Sequence, residues 1–214
     1  PRQFDVLHLS GTLAYQQGRV SEALEQLTLA RKLNPKSPPC AMRLALALMA
    51  AGRKRDAEGH LRAAVEMDPN FFEAWDNLAF CLKTQDRLAE AVICHARVIS
   101  LKPDHAPSWY NYGLTLSLLG RVADALHCHE RALAVSPGYT KAYYGRAQAL
   151  QQAHRIPEAI DAYGQYLLLE PEAHEARSYR LFALNNLDTI SAEELFAEHV
   201  DYGRRVGERP APDF

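Results

Sequence analysis

The sequence has no run of about 18 apolar residues, the length a bilayer-crossing helix requires; its richest stretch, Leu44 to Ala51, is eight residues long. A basic segment followed by an apolar one, the mark of a secretory leader, is also missing. The chain opens on Pro1 rather than Met, so we read it as a processed or excised piece. It lacks an excess of either charge. Twenty-four Lys+Arg against 26 Asp+Glu leave −2 over 214 residues, which argues against a binder of nucleic acid or of an anionic membrane. The four cysteines, Cys40, Cys81, Cys94 and Cys128, have no C-x-x-C spacing. They point to reduced thiols and a cytoplasmic setting rather than a disulfide framework. Glycine-rich phosphate loops, a G-x-S-x-G elbow and an H-E-x-x-H helix are absent too, so no common catalytic motif supports an enzyme in this segment.

What is present is a period. Pro35, Pro69, Pro103, Pro137 and Pro171 lie 34 residues apart, and Ala23, Ala57, Ala91, Ala125 and Ala159 keep the same interval. So do Arg19, Arg53, Arg87, Arg121 and Arg155, and the acids Glu22, Asp56, Glu90, Asp124 and Glu158. Five units follow without insertion: 4–37, 38–71, 72–105, 106–139 and 140–173. Each reads as two helices. In the third, Trp75, Leu78, Ala79 and Leu82 make one apolar stripe, Thr84-Gln85-Asp86 a break, and Leu88, Ala91, Val92, His95 and Val98 a second stripe. Gly18, Gly52 and Gly120 fall in the turn between helices, where a positive φ is often needed. Small residues at Gly11, Ala45, Ala79, Gly113 and Ala147 are expected to face the repeated alanine of the second helix. A hairpin this small cannot bury its apolar face alone, so neighbours must stack.

The pattern W-x2-L-[GA]-x2-[LY], the alanine of the following helix and the closing proline resemble the tetratricopeptide repeat (TPR). The resemblance covers residues 4–173. It implies an all-α fold, a right-handed TPR α-solenoid of helix-turn-helix hairpins. Pentatricopeptide repeats are the nearest rival, but they run a residue longer and usually need a basic groove for RNA. Past Pro171 a partial sixth repeat helix is read at 174–187, a capping helix at 190–206 opened by Ser191 with Glu194, and a linker at 207–214. The segment from Ile190 to His199, then Tyr202 to Val206, is similar to the stretch joining TPRs to the catalytic region in SPINDLY-type bacterial relatives of O-linked N-acetylglucosamine transferase. An ordinary solubilising cap is the alternative.

The TPR resemblance also implies a concave binding surface on the first helices. Its candidate residues are Asp76, Asn77, Phe80 and Lys83 in the third unit, Tyr110, Asn111, Leu114 and Ser117 in the fourth, and Tyr144, Gln148 and Gln151 in the fifth. Asn77 and Asn111 share the sixth position of their helices, where the sugar-transferase TPRs carry an asparagine ladder that grips peptide backbone. Leu9, Arg43, Gly145 and Tyr179 occupy that column elsewhere, leaving two rungs. The fifth-position residues His8, Met42, Asp76, Tyr110 and Tyr144 include no lysine, so the carboxylate clamp of chaperone-binding TPRs is not supported. Met42, Leu46 and Met49 with exposed Tyr and Phe imply a mixed polar and apolar groove for an uncharged or mildly basic peptide.

Nine histidines raise the question of a metal. Cys94-His95 and Cys128-His129 are adjacent pairs, and neighbours on a helix diverge by about 100°, so neither pair converges on one ion. His95 and His129 share the column of Leu27, Leu61 and Tyr163 and are read as packing residues. No metal and no cofactor are expected.

The reading is a protein- or peptide-binding TPR scaffold without nucleic-acid or membrane partners. It is the substrate-recruiting arm of an O-GlcNAc transferase-like glycosyltransferase or, alternatively, a standalone scaffold. The latter would form a homodimer or assembly through the uncapped flank at Leu7, Leu13 and Ala14.

Overall fold

The computed structural model describes residues 2–187 and 189–207. Among the described residues there are twelve α-helices and no strand. They divide into two compact units, Pro1–Asp104 and His105–Phe214. The first holds α1 (Arg2–Gln16), α2 (Val20–Leu33), α3 (Pro38–Ala50), α4 (Lys54–Met67), α5 (Phe72–Lys83) and α6 (Leu88–Leu101). The second holds α7 (Ala106–Leu118), α8 (Val122–Val135), α9 (Thr140–Gln152), α10 (Ile156–Leu169), α11 (His174–Leu184) and α12 (Ala192–Gly207). Even-numbered helices from α2 to α10 start 34 residues apart, as do odd-numbered helices from α3 to α11. The expected linker lies, from residue 208 onward, outside the described residues.

Local chemistry accounts for the punctuation. Each proline of the 34-residue column follows the C-cap of a second helix, and a residue before proline is driven out of the helical region. Asn34, Asp68, Lys102, Ser136 and Glu170 accordingly take φ between −129° and −142° with ψ of 72° to 95°. Within each hairpin the amide of the repeated arginine donates back five residues, Arg19 to the Ala14 carbonyl and Arg87 to that of Leu82, for example, at 2.9 and 3.0 Å. This bond closes a Schellman turn, whose penultimate residue is left-handed. Gly18, Gly52 and Gly120 adopt φ of +75°, +76° and +75° there. Asp86 and His154 hold the same place at +61° and +59° without glycine's freedom. The arginine side chains then pair with the acid three residues on, Arg53 with Asp56 at 2.7 Å and Arg121 with Asp124 at 2.7 Å. These exposed pairs contribute about 0–1 kcal/mol each.

The core follows the columns. In the first unit the repeated alanines at 23, 57 and 91 are sealed, with Leu27, Leu61, Leu78 and Leu82 packed between helices. Burying each leucine contributes about 1.5–3 kcal/mol. In the second unit Leu116, Leu150, Tyr163 and His129 play that part. The two glycines among the small first-helix residues face differently from expectation. A Cβ on Gly11 would meet the Leu27 side chain at 2.8 Å, and one on Gly113 would meet the His129 ring at 2.7 Å. They therefore make room for the large column four residues beyond the alanine, not for the alanine.

The end of the second unit is closed by α12. Ser191 Oγ accepts from the Glu194 amide (3.2 Å), while the Glu194 carboxylate accepts from the Ser191 amide (3.0 Å), a reciprocal capping box. Leu195 and Tyr202 join Ile160, Leu181 and Leu184 in a satellite core. Arg180 pairs with Glu198 at 2.8 Å alongside it. Phe196 does not share that face. One residue along from Leu195 it has turned about 100°, and it is 70% exposed.

Candidate functional site

The expected site residues fall in both units. In the first unit, Leu46, Met49 and Ala50 of α3, Asn77, Phe80 and Thr84 of α5, and Tyr15 of α1 line a cavity of about 470 Å³, with Lys54 at its edge. Its wall is mostly apolar, and Phe80 stands 49% exposed. The Asn77 amide donates to the Glu73 carbonyl at 2.7 Å and lies 3.7 Å from the Met42 sulfur. Met42 is itself buried, so it supports Asn77 from beneath rather than offering surface to a ligand. Lys83 sits over the Phe80 ring, 5.4 Å from its centroid. Burial lowers its pKa, opposed by Asp76. Asp76 is less available than the sequence implied. Its carboxylate is turned toward His95, with Oδ1 3.8 Å from Nδ1, because the fifth position of a first helix lies beside the large column of the second.

In the second unit, Tyr110, Asn111, Leu114 and Ser117 on α7 and Tyr144 on α9 are partly buried, and Gln148 is exposed. Tyr110 packs edge-on against Tyr139 (centroids 5.7 Å apart) and tilts over His129 (5.7 Å). Tyr144 meets Tyr166 at 5.3 Å, Tyr163 at 6.1 Å and Tyr179 at 6.4 Å. Burial first, then Glu175, pushes the Tyr144 hydroxyl pKa upward, so it remains a neutral donor. Gln151 is committed: its Oε1 accepts from the Tyr163 hydroxyl at 2.9 Å.

The interruption of the asparagine column at Gly145 has a physical cause. The ring of His129, fully buried on α8, lies between α7 and α9. A Cβ at Gly145 would stand 2.6 Å from its Cε1. Burial pushes the His129 pKa down to about 4 and that of His95 to about 3, the latter helped by Lys83. Both are therefore neutral packing groups near neutral pH. Among the described residues no group of three or more His, Cys, Asp or Glu could hold a metal ion, and no helix is long and apolar enough to cross a membrane.

Sequence reasoning missed Tyr15, Thr84 and Tyr166, and also Glu175, Ala50 and Lys54. The first three lie on a neighbouring helix or at a helix end, where spacing within one helix gives no signal. Only Lys54 could have been noticed, because the sibling repeats place an aliphatic residue there.

Family models described as tetratricopeptide repeat match residues 14–78, 72–105 and 110–173. The chain is built of tetratricopeptide repeats. Human tetratricopeptide repeat protein 7B is 33% identical over 94 residues, 44% of this chain and 11% of that protein. This TPR chain thus matches about a tenth of the length of that curated relative. Among solved structures, Pseudomonas aeruginosa pilF superposes with a TM-score of 0.80 at 18% identity, covering 96% of this chain and 90% of that one. A MamA protein superposes at 0.71 and 21%, covering 81% and 94%. At such identities these TPR structures establish the fold alone.

Proposed function

We propose that this TPR scaffold binds an extended peptide against the first-helix faces of its hairpins. The carrying observation is the cavity of the first unit, where the apolar wall of Leu46, Met49 and Phe80 meets Asn77, whose side-chain oxygen can accept from a peptide amide. Such a surface takes one apolar side chain and hydrogen-bonds the backbone beside it. In the second unit Asn111, Leu114, Ser117, Tyr144 and Gln148 offer the same mixture. The test is to pan displayed dodecapeptides on the protein and measure the enriched peptides against Phe80→Ala and Asn77→Ala. Affinity is expected to fall about tenfold, or 1.4 kcal/mol, with helicity and melting unchanged. Equal binding to the variants refutes this location.

A finer reading makes the chain the substrate-recruiting arm of a SPINDLY-like O-GlcNAc transferase. The Asn77 and Asn111 pair and α12, which overlaps the segment read at 190–206, support it. Transfer of N-acetylglucosamine from its UDP donor to a groove-bound peptide by the natural polypeptide would sustain it, and absence of transfer would remove it. The rival, a self-associating scaffold, draws on α1, where Val6, Leu9 and Leu13 are 63%, 68% and 51% exposed. Ala14, expected to belong to that flank, is buried instead, because it packs on the α2 side. Light scattering decides this reading: a dimer that dissociates when Leu9→Glu is introduced supports it, and a monomer at all concentrations defeats it.

A further inference from the structure

A second cavity of the first unit, about 760 Å³, lies away from the groove. Leu44 and Leu48 of α3 form its floor, and its lining brings Arg31 and Lys32 of α2 together with Arg53, at the N-cap of α4, and Arg55 of α4. Leu46 and Ala50, which line the groove, are two residues on from Leu44 and Leu48. About 200° of helical rotation separates them, so the two cavities open on opposite sides of α3. A neighbouring hollow of about 520 Å³ shares Arg53 and Arg55 and adds Lys54. Asp56 is the only acid among the described residues lining either hollow, and it is already paired with Arg53 at 2.7 Å.

This concentration of cations breaks the repeat at the places that form the cavity. At the Arg31 position the other copies carry Val65, Ile99, Leu133 and Leu167. At the Lys54 position they carry Val20, Leu88, Val122 and Ile156, and at the Arg55 position only Ser21, Ala89, Ala123 and Pro157. Among the described residues Arg31 and Arg55 form no ion pair, and one Arg31 guanidinium nitrogen, Nη1, is sealed from solvent without a hydrogen-bond partner there. Lys54 gains a single bond, to the Thr84 carbonyl at 3.1 Å. Placing mutually repelling cations where the siblings carry uncharged residues gives the fold little back. The field is felt locally, since after burial the Arg31 and Arg53 charges help lower the His60 pKa.

We propose that this cavity is a second docking site, for an acidic peptide segment. The carboxylates pair with the planar guanidinium forks of Arg31 and Arg55, which match carboxylate geometry, and with the Lys32 ammonium. The site is distinct from the groove in position and in the sign of its ligand.

The probe is a fluorescein-labelled peptide Glu-Leu-Glu-Glu-Leu-Glu, measured by anisotropy against the full chain, with a Gln-for-Glu version as control. The informative variant returns the site to its siblings: Arg31→Leu, Lys32→Ser and Arg55→Ala together. It is expected to melt at or above the parent temperature and to bind the probe about tenfold more weakly or not at all. Raising salt to the physiological level should weaken binding in the parent, and Phe80→Ala should leave it intact. A triple variant that melts well below the parent would make the cations structural and overturn the proposal. So would equal binding of the Gln peptide, loss of probe binding in Phe80→Ala, no binding by the parent, or full displacement by millimolar inorganic phosphate, which would make it a free-oxyanion site.

Discussion

Consider replacing Gly145 with alanine. On an ordinary helix this raises stability by about 1 kcal/mol, since alanine is the better helix former. Here the new methyl carbon would stand 2.6 Å from Cε1 and 2.9 Å from Nδ1 of His129, well inside the 3.5–4.0 Å of a favourable carbon contact. The ring cannot withdraw toward α7, because at Gly113 an added Cβ would already meet it at 2.7 Å. Nor is there solvent to move into, as His129 is fully buried. Overpacking of this kind costs about 1–3 kcal/mol, so Gly145→Ala alone should destabilise by about 1 kcal/mol. Once His129→Ala removes the ring, the same substitution should stabilise by about 1 kcal/mol. The coupling between the two sites is then about 2 kcal/mol. Urea unfolding of the parent, the two single variants and the double variant, followed by circular dichroism, measures it. Additive effects would mean that the histidine does not explain the glycine.

His129 also sets a pH dependence. Its native pKa of about 4 lies below the unfolded 6.5, so above pH 6.5 neither state is protonated and nothing is lost. As pH falls from 6.5 toward 4, the unfolded chain takes a proton the native one refuses. At about 1.4 kcal/mol per pH unit, stability drops by up to about 3 kcal/mol; unfolding His129→Leu across this range should show a flatter profile. Asp86→Gly and His154→Gly should each raise stability by about 1 kcal/mol, because both residues hold a left-handed φ without glycine's freedom; thermal melts check this. Ala91→Leu, at a fully buried position, should cost about 1–3 kcal/mol without altering peptide affinity, which melting and binding measured together will test.

The fold was legible because its information is repeated. Each proline, arginine and alanine column states the same local rule five times, and each rule acts within a few residues: a proline unseats its predecessor, an arginine amide closes a turn. The tertiary assignments were less legible. Gly11 and Gly113 were matched with the nearest small column, although the bulk they make room for lies four residues farther along the partner helix. The groove was read from positions within single helices. That located Asn77 and Phe80 but not Tyr15 or Thr84, which reach the same cavity from another helix or a helix end. Asp76 and Gln151 looked available until their partners, His95 and the Tyr163 hydroxyl, were seen.

The strict interval between helix starts has a consequence for how such a chain can change its length. An insertion or loss of 34 residues returns every later helix to the same phase, so its apolar stripe and turn meet neighbours of the kind they had before. Any other number would rotate the downstream stripes away from their partners. Growth by whole multiples is therefore the one route that leaves the interior unredesigned.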